Sequence, residues 1–255
     1  MKLDHLPSQS GKYWAALILA SVFGANTGDF LSDALGLGHF QGLPVLAVVF
    51  AAILLAERFD RSRHPGYFWS AIIIVRSAAT NIGDIGRDLH AEPLKVLALL
   101  AAVLLATLGA WRALGRTRPA AGEGSNFLAA SPWYWWTMLV AGSLGTVIGD
   151  YFSWGLKLGN LTAALVLFAG VAGLFLAGGK ARLAQFGFYW LTVVCIRSAG
   201  TALGDFLAHG TGSLPLSTLL SGLAFVALLV LWRTPAGGFG PAGAAAAAKG
   251  SLSEG

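Results

Sequence analysis

Four aspartates, each preceded by glycine, punctuate otherwise apolar stretches of the chain: Gly28-Asp29, Gly83-Asp84, Gly149-Asp150 and Gly204-Asp205. Small polar residues accompany them, namely Asn26, Thr27, Thr80, Asn81, Thr146 and Thr201. Carboxylate, amide and hydroxyl oxygens in such company suit hard cations, and a carboxylate also relays protons. Eight positions before the second and fourth aspartates stand Arg76 and Arg197, where the other two sites have Ser21 and Gly142. A guanidinium there could clamp helices together, hold an anionic group or gate a path. Four positions after the aspartates come Asp33, Asp88, Trp154 and His209. If a helix continues through each aspartate these residues share its face, which makes Asp33, Asp88 and His209 candidate metal ligands; His39 and His90 fall on the same side. Equally, i,i+4 acidic pairs are frequent on wet helix ends and need hold nothing.

The elements that position these groups follow from one repeat. Trp14, Trp69, Trp135 and Trp190 each precede an aspartate by fifteen residues, and Gly24, Ala79, Gly145 and Gly200 each lie four before a motif glycine, Gly28, Gly83, Gly149 or Gly204. The repeat W-x9-[GA]-x3-G-D thus occurs four times. Asp29, Asp84, Asp150 and Asp205 are 55, 66 and 55 residues apart, so the extra eleven residues fall in the stretch 112–130, which contains Pro119, Gly122 and Gly124. With 56% hydrophobic and 11% charged residues in 255 positions and a mean hydropathy of +0.68, the composition is that of a membrane protein. Motif helices are expected at 13–32, 66–86, 132–153 and 187–207, and apolar partner helices at 43–56, 94–111, 161–178 and 214–232. The predicted fold is all-α: eight transmembrane helices as four tandem helical hairpins, with pseudo-two-fold symmetry relating repeats 1 and 2 to repeats 3 and 4 about the membrane normal. Its parts are an N-terminal segment 1–12, repeats 1 and 2 at 13–111, a linker 112–131, repeats 3 and 4 at 132–233, and a disordered tail 234–255.

Charge sets the expected orientation. On the side of the N-terminus stand twelve basic residues (Lys2, Lys12, Arg58, Arg61, Arg63, Arg112, Arg116, Arg118, Lys180, Arg182, Arg233 and Lys249) against three, Arg87, Lys95 and Lys157, on the other. That bias puts both termini in the cytoplasm, with the tryptophans at the cytoplasmic interface and the aspartates, about 22 Å further along their helices, in the outer leaflet. The net charge of +5 is loop charge between apolar segments, a topology signal and not a nucleic-acid footprint. The first apolar segment lacks an Ala-x-Ala cleavage pattern before Asp33 and is expected to be retained. Cys195 is the only cysteine, which excludes an intramolecular disulfide and a thiolate metal cluster.

On the tryptophan and Gly-Asp motifs, and most specifically on Ile196-Arg-Ser-Ala-Gly-Thr-Ala-Leu-Gly-Asp205, the chain resembles an uncharacterised family of bacterial membrane proteins built from four tandem two-helix repeats. The resemblance implies the fold and a bacterial inner membrane. Members carry a glutamate four residues before the first-repeat aspartate, where this chain has Ala25.

The small-x3-small pairs are expected to pack helices. The aspartates are either interhelical hydrogen-bond partners or ligands, and a carboxylate at membrane depth costs a few kcal/mol. Helical side chains lean toward the N-terminus, so each arginine points away from its own aspartate, about 12 Å along the helix, and needs a partner from another helix, a carbonyl, water or an anion. No nucleophile–base arrangement, phosphate loop or paired histidines for haem occurs, which leaves an enzyme without machinery and implies no cofactor. The leading expectation is a carrier for a small charged solute, a cation first and proton coupling allowed. The alternatives are a non-transporting scaffold or sensor with a structural ionic network, and a carrier for a small anion held by the two arginines. The implied partners are the lipid bilayer and the solute, with no nucleic acid; the oligomeric state is open. Reporter fusions placed after Trp232 should label from the cytoplasm; labelling only from outside would reverse the aspartate layer.

Overall fold

The computed structural model of the chain describes residues 7, 9–60, 64–114, 130–183 and 185–231. Most of the linker, with Pro119, Gly122 and Gly124, the tail 234–255, and Lys2, Arg61, Arg63, Arg116, Arg118, Arg233 and Lys249 lie outside the described residues. Those described form eight helices and no strand: α1 (Gly11–Asp29), α2 (His39–Phe59), α3 (Gly66–Asp88), α4 (Pro93–Ala113), α5 (Pro132–Asp150), α6 (Asn160–Leu183), α7 (Phe186–Thr211) and α8 (Leu214–Leu231). Six of them are long and apolar enough to cross a bilayer, which makes the chain a multi-pass membrane protein.

The two that fall short, α3 and α5, do so for a physical reason. α3 carries Arg76, Asp84, Arg87 and Asp88, and α5 opens on the aromatic run Trp133 to Trp136 and continues through Gly142, Ser143, Gly145 and Thr146. Both are inner helices whose polar faces meet protein. α1 packs on α3, α3 on α5, α5 on α7, and α7 on α1, so the motif helices close a ring. The most apolar windows of α1 and α7 are 56% and 61% buried, against 17–22% for α2, α4, α6 and α8, which form the outer layer.

The outer helices are displaced by one repeat. α2 packs on α3, α4 on α5, α6 on α7, and α8 on α1. Each repeat is a hairpin by connectivity, yet its second helix covers chiefly the first helix of the following repeat, and α8 closes the circle.

Glycine permits this ring. A Cβ placed on Gly28 would lie 2.8 Å from Thr80 Cβ, on Gly83 2.9 Å from Thr146 Cγ2, on Gly149 3.0 Å from Thr201 Cβ, and on Gly204 3.3 Å from Ala25 Cβ. One turn earlier Gly24 meets Arg76, Ala79 meets Gly142, Gly145 meets Arg197, and Gly200 meets Ser21. Each small-x3-small pair therefore lies against the next inner helix, close enough for backbone-level packing.

At the N-terminal end of the ring, Tyr13, Phe68, Tyr134 and Tyr189 pack around the axis, one residue before each motif tryptophan. Tyr13 and Tyr134 both lie within hydrogen-bond reach of the Tyr189 hydroxyl, at 2.5 and 3.3 Å, and Phe68 closes the gap at ring distances of 6.5 Å to Tyr13 and 6.3 Å to Tyr134. The motif tryptophans, expected at the cytoplasmic interface, are enclosed by protein. Trp14, Trp69, Trp135 and Trp190 are 1–7% exposed, each wedged between the aromatic ring of the preceding inner helix and an outer helix, as Trp135 is between Phe68 and Phe50. Burying an indole in that aromatic collar yields more apolar contact than an interfacial position would.

Because the seam leaves no space for a methyl group, Gly28→Ala and Gly149→Ala should each cost about 1–3 kcal/mol by overpacking. Gly170→Ala on outer helix α6, where nothing lies within 4 Å of an added Cβ, should be neutral or stabilising. Thermal melting in detergent reads the contrast.

Candidate functional site

The chain continues as helix past every aspartate, but in two ways. In repeats 2 and 4 the α-helix runs on through Asp88 and His209. After Asp29 and Asp150 it widens into π-helical segments, Phe30–Ala34 and Tyr151–Gly155. In repeat 1 the Ser32 hydroxyl donates to the Gly28 carbonyl at 2.9 Å and so competes for an acceptor of the regular ladder. Turns with positive φ at Gly36 and Gly38, and at Lys157 and Gly159, then bring α2 and α6 back toward the ring.

These continuations frame a layer of four carboxylates, one from each inner helix. Asp84 is 3% exposed, Asp29, Asp150 and Asp205 are half-buried, and their charges act on one another. Asp84 has Arg87 Nη2 at 3.6 Å and His39 Nε2 at 3.7 Å. Among the described residues, no hydrogen bond or ion pair reaches the carboxylates of Asp29, Asp150 and Asp205.

Two turns further along the axis Arg197 is wholly buried, and each of its three side-chain nitrogens has a partner, drawn from three other helices. It donates to the Ser21 carbonyl of α1 at 2.7 Å, to the Arg76 carbonyl of α3 at 3.3 Å, to the Thr80 hydroxyl of α3, and twice to the Thr146 hydroxyl of α5, at 3.2 and 3.0 Å. Arg76 occupies the equivalent place in α3 and is equally buried, yet none of its three side-chain nitrogens has a hydrogen-bond partner. Tyr13, Tyr134 and Tyr189 lie close enough to act on its charge without bonding to it. From the aspartate end inward the axis therefore carries carboxylates, threonine hydroxyls, two guanidinium groups and a closed aromatic collar.

The remaining expected site residues divide. Thr80 and Thr146 serve Arg197, while the buried Thr201 hydroxyl has no partner. Asn26 and Asn81 turn outward: Asn26 Nδ2 donates to Ser217 and Ser221 of α8 at 2.7 and 3.3 Å, and Asn81 Oδ1 accepts from Ser32 at 2.9 Å, so neither joins the carboxylate layer. The three expected metal ligands are separated. Asp33 and Asp88 flank His39, with Asp88 Oδ2 2.7 Å from Nδ1 and Asp33 Oδ1 3.8 Å from Nε2. His209 lies in the other half, its Nδ1 2.7 Å from the Asp205 carbonyl and 3.4 Å from Asn160 Nδ2, beside Trp154. Both pairings, His39 with Asp88 and Asn160 with His209, span 49 residues. The residue ten after an odd-repeat aspartate meets the residue four after the next one, a correspondence visible only once the ring order is known. His90, exposed in the α3–α4 turn at φ 53°, takes no part. The tyrosine collar and Arg87 were not among the expected site residues; the signal for the collar was an aromatic residue before each motif tryptophan.

Residues 12–62 and 188–236 match a family described as Repeat of Unknown Function (DUF347). These segments are the first and fourth repeats. No curated protein and no solved structure matches the chain.

The two arginines should respond oppositely to removal of their charge. Arg197→Met strands two carbonyls and the threonine hydroxyls it serves, at a cost of about 3–5 kcal/mol. Arg76→Met replaces an unpaired buried cation by an apolar chain of similar volume and should be neutral or stabilising. Unfolding in detergent micelles measures both.

Proposed function

We propose that this tandem-repeat membrane protein of the DUF347 family is a carrier that binds a small cation in its aspartate layer. The observation that carries the reading is the convergence of four carboxylates from four helices, three of them without a protein donor. A scaffold would satisfy such groups, because a carboxylate at membrane depth costs a few kcal/mol and like charges in one layer add to that. A bound cation or shared protons offset both.

The other end of the axis argues for a carrier and against an open pore. A monovalent cation leaving the aspartates meets Arg197 and then Arg76; at about 10 Å and an effective dielectric of about 20, each fixed charge opposes it by about 1.7 kcal/mol. The aromatic collar lies beyond. The site is thus reachable from the aspartate end and shut from the tyrosine end, as one state of an alternating-access cycle would be; the link to transport is an analogy at the level of architecture.

In this reading all eight helices span the membrane as four tandem hairpins, with the halves related by a pseudo-two-fold axis along the membrane normal. Three features support it: the cyclic helix contacts, the π-helical segments in repeats 1 and 3, and the arginines in repeats 2 and 4. The basic loop bias supports cytoplasmic termini in a bacterial inner membrane. Arg197, bonded to three neighbouring helices, favours the scaffold alternative for that residue alone. An anion carrier has less support, since every side-chain nitrogen of Arg197 is already engaged by protein and the acidic mouth repels anions.

Asp150→Asn and Asp205→Asn keep shape and remove charge where no protein partner is lost. Both variants should melt within a few degrees of the parent yet lose cation flux into vesicles by about tenfold or more. A parent whose melting temperature no cation shifts, with variants melting far below it, would make the aspartates structural.

A further inference from the structure

We propose that His39, Asp29 and Asp84 form a site for a divalent transition-metal ion, which names the cation class of the carrier reading above and rests on it. His39 is the first residue of α2, brought onto α3 by the Gly36 and Gly38 turn. Its ring is 7% exposed. Nδ1 lies 2.7 Å from Asp88 Oδ2; an ionised carboxylate only accepts, so Nδ1 carries the hydrogen. That leaves Nε2 buried, without a hydrogen bond, and aimed into the carboxylates. A carboxylate that fixes the outer nitrogen so that the inner one faces a metal is the arrangement that orients histidine ligands in metal sites.

The donor atoms of Asp29, His39 and Asp84 lie within 4.8 Å of one another. A metal about 2.0–2.2 Å from each ligand holds donors about 3–4 Å apart, so the set closes on an ion with shifts of about 1 Å. Asp33 Oδ1, 3.8 Å from Nε2 on an exposed arm, supplies a fourth ligand. Arg87, 3.6 Å from Asp84 and 61% exposed, is the counter-charge that an arriving metal displaces.

An imidazole among carboxylates selects the chemistry. Sodium, magnesium and calcium prefer oxygen alone, whereas zinc, iron, cobalt and nickel take mixed nitrogen and oxygen ligands. The other half of the ring cannot build the same site. Around Asp150 and Asp205 the place of His39 is taken by Asn160, that of Asp33 by Trp154 and that of Asp88 by His209. One half of the carboxylate layer therefore holds the metal and the other remains an all-oxygen pair.

The test uses the full chain in detergent, free of any affinity tag and treated with chelator. Zn2+, Co2+ and Mn2+ are compared with Mg2+, Ca2+ and Na+ for their effect on the melting temperature, and the visible absorption of bound Co2+ reports nitrogen and oxygen ligation directly. Zn2+ or Co2+ should raise the melting temperature saturably while the hard ions do not. His39→Asn, which installs the residue of repeat 3, should weaken binding by more than about 100-fold, and Asp88→Asn, which only orients the ring, by about 10–100-fold. His90→Asn and His209→Asn should leave it unchanged.

If His39→Asn fails to fold, Asp88→Asn and the Co2+ spectrum of the parent decide. The proposal is overturned if His39→Asn keeps the metal response, if Asp88→Asn binds as the parent does, or if Mg2+ and Ca2+ stabilise as strongly as Zn2+. The two readings fail separately. Metal binding that depends on His39 without flux into vesicles sinks the carrier and leaves the site. Flux and stabilisation by a cation independent of His39 sink the site and leave the carrier.

Discussion

A guanidinium buried in a membrane protein must find an acceptor for its donors or leave them at a cost of several kcal/mol, and Arg197 meets that demand by binding three other helices at once. Its reach fixes how close those helices stand. Carbonyls of α1 and α3 and hydroxyls of α3 and α5 can all lie within 3.3 Å of one side chain only if the inner helices approach at backbone distance, which the glycines at 24, 28, 83, 145, 149, 200 and 204 permit. The carboxylate layer follows from the same geometry: aspartate comes directly after the seam glycine, so four close seams bring four carboxylates together.

Arg76 shows what the ring does when that demand is not met. It has the sequence position of Arg197 and the same burial, but its neighbours on the axis are tyrosine hydroxyls already engaged with one another. Two guanidinium groups compete for one set of central acceptors, and Arg197 takes them. The repeats are thus equal in backbone and unequal in chemistry, an inequality that recurs at the mouth, where His39 and Asn160 fill matching places.

Much of the framework was legible in the chain because its signals are local. The tryptophan-to-aspartate spacing, the seam glycines and the helix positions depend only on neighbours along one helix, and Trp14 with Asp29 already gives the register. The site was legible in part. Asp29, Asp84, Asp150 and Asp205 are marked by their glycines, but which side chains meet them depends on the order of helices around the ring, which no spacing states. Asn26 and Asn81 looked like members of the layer because they are three residues from an aspartate; that offset turns them toward α8 and α2. His209 was grouped with Asp33 and Asp88 by position within the repeat, whereas contact runs between repeats, so His39 is what joins those two aspartates. The tryptophans misled for a different reason: indole at a helix end reads as an interfacial anchor, and only the neighbouring rings reveal a collar that buries it.

The one-repeat offset of the outer helices has a consequence for how the protein is made. Of the eight described helices α1 is the first to leave the ribosome, and two of its three main partners, α7 and α8, are the last. At about 5–20 residues per second, the roughly 200 residues separating Asp29 from the end of α8 take about 10–40 s to synthesise. For that interval Asp29 and the face of α1 at Ser21 and Ala25, on which Gly200 and Gly204 of α7 pack, wait in the bilayer or the insertion machinery without the helices that cover them. A half-length product would never cover them alone, since its α1 and α4 would each lack a neighbour, and two such halves could close the circle only by pairing with each other.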